Sequence, residues 1–369
     1  MSDDDAIETA FHAVTEAQGG THIADGGWWW LEGFGDLGKE YAAIRDDVAV
    51  WDVSPLNKWD FRGPAALEAA QRVFSNDALG LEVGQARYGA FLDADGLMVD
   101  DGTVFNTGGG HCWVMTNGKD HDDLLRRVAE GLRRRVRVDR AADAASGRDR
   151  SALARGRAEA HRRRRGRTPL LPVPDRPGEG GRGRGVPVAD GVRRRARVTS
   201  CSCTDPADAE ELWNAIVGAG VTPFGAEAIE PARIEAGLIV TDYDYEAHQR
   251  TPYDFNLDRM VRLDGPGEFL GKERLREVAA APPNRLVTLT YASETLPEYG
   301  AAVTQDGEEV GVLTSPTDSP RFGKIGIAVI RSDRSTLGNS VQVAVGDGTV
   351  DATVDVLPIY DTNKDRPCS

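Results

Sequence analysis

The chain has 369 residues, 28% of them charged, with a formal net charge of -15; that length supports two or three domains with a large total core, and so acidic a balance excludes general nucleic-acid binding, which needs a basic face. No apolar run approaches the roughly 18 residues that span a bilayer, and the acidic start Ser2–Asp5 does not read as a basic n-region followed by an apolar h-region. Four cysteines (Cys112, Cys201, Cys203, Cys368) without a repeating spacing give neither a disulfide framework nor a zinc site, so a reduced, cytoplasmic setting is expected.

In chain order, residues 1–15 read as a short acidic lead into a helix. Gly26–Phe34 is aromatic-rich, either a packed loop with its indoles in the core or a stacking surface for a ligand. Lys39–Asp47 reads as a helix and Val48–Val53 as an apolar strand. Trp59–Arg62 alternates as a strand ended by Gly63-Pro64, and Ala65–Phe74 has helical spacing. Ala86–Leu92 is a strand carrying Tyr88, and Asp95-Gly96 marks a hairpin.

Gly96–Phe105 is the most informative stretch, an apolar strand interrupted by Asp100 and Asp101. Aspartate is disfavoured in strands. Two adjacent strand residues point to opposite faces, so one of these carboxylates should point inward; the other reading is a bulge with both acids in water. His111–Thr116 returns after Gly108–Gly110, and Lys119–Leu132 reads as a helix with acids early and arginines late. The order of elements over 58–132 is α+β, of ferredoxin-like type.

Arg134–Ser200 breaks the acidic trend, with 20 Arg against 7 Asp plus Glu, a net of +13 that leaves -28 for the rest. It reads either as a basic disordered linker or as a GC-rich stretch translated out of frame to about Cys203. With GC-rich codons for Arg193–Val198 preceded by the bases TA, a one-base shift yields Tyr-Gly-Gly-Glu-Pro-Gly-Tyr, and resequencing separates the two readings. The acidity elsewhere suits a salt-adapted proteome, whose surface carboxylates keep proteins in solution.

Beyond it, Asp205–Val217 reads as a capped amphipathic helix and Gly225–Leu238 as a second. Arg233 and Glu235 stand between apolar neighbours, either as a structural ion pair to other elements or lining a site. Tyr253–Leu263 reads as a strand and Phe269–Val278 as a helix. From Arg285 onward, strands alternate with turns at Gln305–Gly307 and Gly346–Gly348, an all-β module.

Seven short motifs in order resemble one family. They are Val50-Trp51-Asp52-Val53-Ser54, Phe61-Arg62-Gly63-Pro64, Gln85-Ala86-Arg87-Tyr88, Gly96 to Asp101, Arg233-Ile234-Glu235-Ala236-Gly237, Phe269-Leu270-Gly271-Lys272-Glu273, and Thr314-Ser315 with Ser319-Pro320. Together they are similar to the T-protein (aminomethyltransferase) of the glycine cleavage system and its folate-dependent demethylase relatives.

The resemblance implies a three-domain α+β cloverleaf around tetrahydrofolate. Its parts would be 1–55 with 134–283 as a folate-binding region, 56–133 as a ferredoxin-like domain and 284–369 as a C-terminal β-barrel. Asp101 takes the catalytic position beside the folate nitrogen. Leu56, Tyr88 and Phe105 fall where the family lines the pterin slot, and Arg233 and Glu235 are carried with them as cofactor-binding residues. The implied activity is one-carbon transfer to tetrahydrofolate from a small-molecule donor or a lipoyl-carrying protein, with no membrane or nucleic-acid partner. A folate-binding accessory protein without transferase activity is the alternative, and a nucleic-acid role through Arg162–Arg165 a third.

The chain also departs from the pattern. Ile229 and Glu230 stand where the family has Arg-Asp, and Ser54-Pro55-Leu56 replaces Ser-His-Met. The Gly-Tyr-x-Gly-Glu-x-Gly-Tyr-Glu motif is missing and would fall in the arginine-rich segment. These changes point to an S-methyl, O-methyl or N-methyl donor instead of lipoyl-bound aminomethyl.

Overall fold

The computed structural model describes residues 6–117 and 206–362, with 124–125, 128, 132, 135–140, 186–187 and 199–200 between them. Helix α1 (His12–Ala17) leads into hairpin strands β1 (Thr21–Asp25) and β2 (Trp28–Gly33). Gly26 and Gly27 turn the hairpin with φ of 56° and 85°, the left-handed pair that matches strand twist. The aromatic stretch is therefore a strand and not a loop, with Trp28 buried and Trp29 and Trp30 half-buried. Helix α2 (Leu37–Asp46) starts at Asp36, whose carboxylate accepts from the Lys39 N–H at 3.0 Å. The strand expected over Val48–Val53 shrinks to β3 (Ala49–Val50). Asp52 ends it, accepting the Ser54 N–H at 2.9 Å and the Thr9 hydroxyl at 2.5 Å.

Five antiparallel strands form the second unit: β4 (Asn57–Arg62), β5 (Ala86–Leu92), β6 (Met98–Gly108), β7 (His111–Thr116) and β8 (Arg137–Arg140), in the order β5-β6-β7-β4-β8. Helix α3 (Ala66–Gln71) covers one face over Trp59, Phe61, Phe74, Phe91, Val104 and Val114. Leu125, Val128 and Leu132 join this cluster, although most of the expected helix Lys119–Leu132 lies outside the described residues. So does most of Arg134–Cys203, from which β8 and the paired strands β9 (Val186–Pro187) and β10 (Thr199–Ser200) are described.

Helix α4 (Ala209–Gly218) precedes β11 (Thr222–Pro223), which runs parallel to β3, and α5 (Ala226–Glu235) follows. The strand expected over Tyr253–Leu263 is instead two 3₁₀ turns, Pro252–Phe255 and Asp258–Met260. Thr251 and Asp254 form a capping box around Pro252, and Asn256 is left-handed at φ 57°. This local hydrogen bonding outcompetes an extended backbone. After α6 (Lys272–Ala279) come six strands: β12 (Asn284–Tyr291), β13 (Ala301–Gln305), β14 (Glu308–Ser319), β15 (Gly323–Arg331), β16 (Ser340–Val345) and β17 (Gly348–Asp355). They close a barrel in the order β12-β15-β14-β13-β16-β17. Among the described residues no helix is long and apolar enough to cross a membrane.

One apolar cluster joins these units. It takes Ala90, Leu92 and Met98 from the open sheet, Ile234 from α5, Tyr245, Tyr253 and Phe255 from the segment after α5, and Leu286, Ile325, Ile327 and Val329 from the barrel. Beside it the Asp95-Gly96 turn meets the start of α6. Gly271 is left-handed at φ 72°, and a Cβ there would lie 2.2 Å from the Gly96 backbone. Gly271→Ala is therefore expected to cost at least about 2 kcal/mol through strain and overpacking together, read as a lower urea midpoint. An unchanged midpoint would show that the turn can move away.

Candidate active site

Strand β6 carries the acid pair across a bulge. Phe91 opposes Asp100 and Leu92 opposes Met98, so Val99 is the extra residue. A bulge is present as one reading expected, but neither acid is in water: Asp100 is 0% and Asp101 7% exposed. They point to opposite faces and have different surroundings. Asp100 takes the Asn117 N–H at 3.0 Å, the Asn117 side-chain amide at 2.7 Å and the Asp101 N–H at 2.8 Å. These bonds lock the end of β7 against β6. Asp101 lies on the open face with Ala90, facing the cluster shared by the three units.

Two phenols and one amide address the Asp101 carboxyl. Tyr88 donates to Oδ2 at 2.8 Å, Tyr245 donates to Oδ1, and the Asn117 amide reaches Oδ1 at 3.3 Å. A carboxylate offers about four acceptor directions, so one on Oδ2 has no donor among the described residues. Burial and the neighbouring Asp100 charge raise the Asp101 pKa to about 7, against the pull of the two tyrosine hydrogen bonds and with a further push from Asp244. Burial, together with the Asp101 charge, moves both phenols well above the usual tyrosine range, so they stay protonated donors. The arrangement can hold or accept a proton near neutral pH.

The structure joins Tyr88 to Asp101 by a hydrogen bond and sets Phe105 farther along the same strand. Leu56 is half-buried, immediately before Asn57, whose amide donates to the Asn117 carbonyl at 2.9 Å. Phe105 is buried four residues beyond Asp101 on the same face of β6, opposite Ala86 and Trp113.

Arg233 and Glu235 occupy a separate network that ties α5 to the barrel, as the ion-pair reading anticipates. Arg233 donates to Asp244 at 2.8 Å, to the Ser315 hydroxyl at 2.7 Å and to Glu230 at 2.6 and 3.0 Å. Burial alone would lower its pKa, but Asp244 and Glu230 raise it. Glu235, fully buried, pairs with Arg45 and accepts hydroxyls from Tyr41 and Ser319, each at 2.6 Å. Thr314 and Ser315 also donate to Asp244, at 2.5 and 2.7 Å. Both halves of the Thr-Ser and Ser-Pro motif therefore dock the barrel on α5. Neither Arg233 nor Glu235 contacts Asp101; Arg233 connects to it through Asp244 and the adjoining Tyr245.

Tyr245 and Asn117 escaped the sequence reading. The signal available for Tyr245 was the run Tyr243-Asp244-Tyr245 soon after the Arg-x-Glu helix, but a separation of 144 residues hid its partner. A cavity of about 240 Å³ lies at the far end of the sheet, lined by Pro64, Leu67, Val83, Asn106 and His111 among others, and includes none of these site residues.

Comparison with known proteins agrees with this architecture. Residues 11–147 match the GCVT N-terminal domain and residues 284–361 the glycine cleavage T-protein C-terminal barrel domain. Over 366 residues the chain is 30% identical to a probable aminomethyltransferase of Halobacterium salinarum, covering 95% of this chain and 98% of that one. It is 28% identical over 365 residues to the aminomethyltransferase of Bacillus subtilis, covering 93% and 96%. Its fold is similar to the crystal structure of glycine cleavage system aminomethyltransferase T from Bartonella henselae, with a TM-score of 0.74 at 20% identity over 96% of this chain and 98% of that one. The lobes seen here, a ferredoxin-like sheet, an α5-centred region and a closed barrel, are thus a T-protein-like cloverleaf, and the chain belongs to the aminomethyltransferase family of the glycine cleavage T-protein.

Proposed function

We propose that this protein is a cytoplasmic, tetrahydrofolate-dependent one-carbon transferase that takes an aminomethyl or methyl group from a small-molecule donor or a lipoyl-carrying protein. The observation that carries this reading is Asp101, a buried carboxyl where the three lobes meet, with one acceptor direction that no donor among the described residues fills. When bound, tetrahydrofolate supplies a secondary amine nitrogen as the one-carbon acceptor. The residues present suit such a group. Oδ2 of Asp101 can take an amine proton, Tyr88 and Tyr245 donate to the carboxyl, and Leu56 and Phe105 are assigned the apolar lining of the folate slot. A positioned group of this kind contributes about 100-fold to 10,000-fold to rate. Ile229, where the family has arginine, packs with the Tyr41 and Ala232 cluster, and Glu230 holds Arg233. Loss of that arginine supports a donor other than the lipoyl-bound one.

The test is one-carbon transfer to tetrahydrofolate from a panel of S-methyl, O-methyl and N-methyl donors and lipoyl-bound aminomethyl. Folate binding without transfer from any of them would favour the accessory-protein alternative. Because Asp101 must be ionised to accept a proton, turnover at saturating folate is expected to rise with pH through about 7. A profile flat across that region would separate turnover from this carboxyl.

A further inference from the structure

Asp101 is held by two phenols of different origin. Tyr88 belongs to the neighbouring strand of the same sheet, whereas Tyr245 comes from the segment after α5. That segment is fixed on both sides of the ring. The Tyr245 carbonyl accepts from the Asp242 N–H at 2.8 Å. The preceding residue, Asp244, takes four donors: Arg233, Thr314, Ser315 and the Val240 N–H. Downstream, Met98 at the head of β6 bonds to the backbone of both His248 and Arg250 at 2.8 Å. The Tyr245 ring is 4% exposed and packs on Phe255 with centroids 5.3 Å apart. A phenol pinned in this way, aimed at a single oxygen of the central carboxyl, does more than fill core.

We propose that Tyr245 is a positioning residue for Asp101: it fixes the Oδ1 edge of the carboxylate so that Oδ2 is presented to the acceptor nitrogen, and it links the docking of α5 on the barrel to the proton-handling group. This rests on Asp101 having the role given above. Among the described residues, the charged and titratable groups that act most on Asp101 are Asp100 on its own strand, Tyr88 on β5, and Tyr245 and Asp244 on the segment after α5. Burial and the two acids favour the protonated carboxyl, and the two phenols favour the ionised one. Removing one phenol therefore raises the proton affinity of Asp101.

The experiment is a carbon-13 titration of the full-length protein labelled at aspartate carboxyls, without folate, with the Asp101 signal assigned by its loss in Asp101→Asn. Tyr245→Phe keeps the ring against Phe255 and removes only the hydroxyl. Its Asp101 midpoint is expected to move to higher pH, by about threefold to tenfold in proton concentration, and the acid limb of turnover to move with it. Tyr253→Phe, equally buried in the same cluster, is expected to leave the midpoint in place. An unmoved midpoint in Tyr245→Phe, or an equal shift in Tyr253→Phe, would overturn the proposal. A shifted midpoint in a protein with no folate-dependent turnover would uphold the hold of Tyr245 on the carboxyl and overturn its role in presenting Oδ2 to folate, along with the transferase reading.

Discussion

Asp101→Asn is expected to lose about 100-fold to 10,000-fold in turnover while its affinity for tetrahydrofolate changes little. Asparagine keeps the size of the side chain and an oxygen for one of the tyrosines, so the apolar surroundings of the site remain. What it cannot do is take a proton from an amine. Equal turnover in the variant would remove Asp101 from the chemistry. The substitution also has a signature in stability. The folded protein raises the Asp101 pKa from 3.8 to about 7, so its contribution to stability is complete below the unfolded pKa and is lost as pH rises through about 7. Asp101→Asn has no such proton to lose. Its melting temperature relative to wild type should therefore be higher at about pH 8 than at about pH 5, and a difference independent of pH would contradict the raised pKa.

Arg233→Ala is expected to be the most destabilising change on α5, costing about 3 to 5 kcal/mol by removing one partner of a buried charge network. Asp244, 2% exposed, would be left without its cation, and Ser315 would lose a donor. The matched control is Arg274→Ala, whose pair with Glu277 lies on the surface with both side chains more than half exposed; such pairs contribute about 0 to 1 kcal/mol. Urea unfolding of the two variants side by side measures the contrast. Similar losses would mean that the Arg233 network contributes little to holding α5 on the barrel.

The sequence made the fold legible where chemistry and local pattern coincide. The Asp95-Gly96 turn, the strands around it and the two β-hairpin turns of the barrel follow from glycine placement and alternation. The inward acid of the Gly96–Asp101 motif follows from strand geometry, and the structure adds which acid does what: Asp100 fastens strands through Asn117, whereas Asp101 faces the shared cluster. Tyr253–Leu263 misled because its apolar spacing passes for a strand, while the Thr251 and Asp254 capping box turns the backbone locally. Arg233 and Glu235 could be named from the sequence, but their partners on the barrel and on α2 lie 82 and 190 residues away. Long-range partners of this kind, Tyr245 included, leave no local periodicity to read.

The cluster joining sheet, helix and barrel has an implication for dissecting the molecule. Leu286, Ile325, Ile327 and Val329 spend barrel surface on neighbours outside the barrel, so a fragment cut near Asn284 would present a bare greasy flank to solvent. The lobes are better regarded as one cooperative object than as portable cassettes, and exchanging the barrel between homologues would demand co-transplanting the residues that cover that flank.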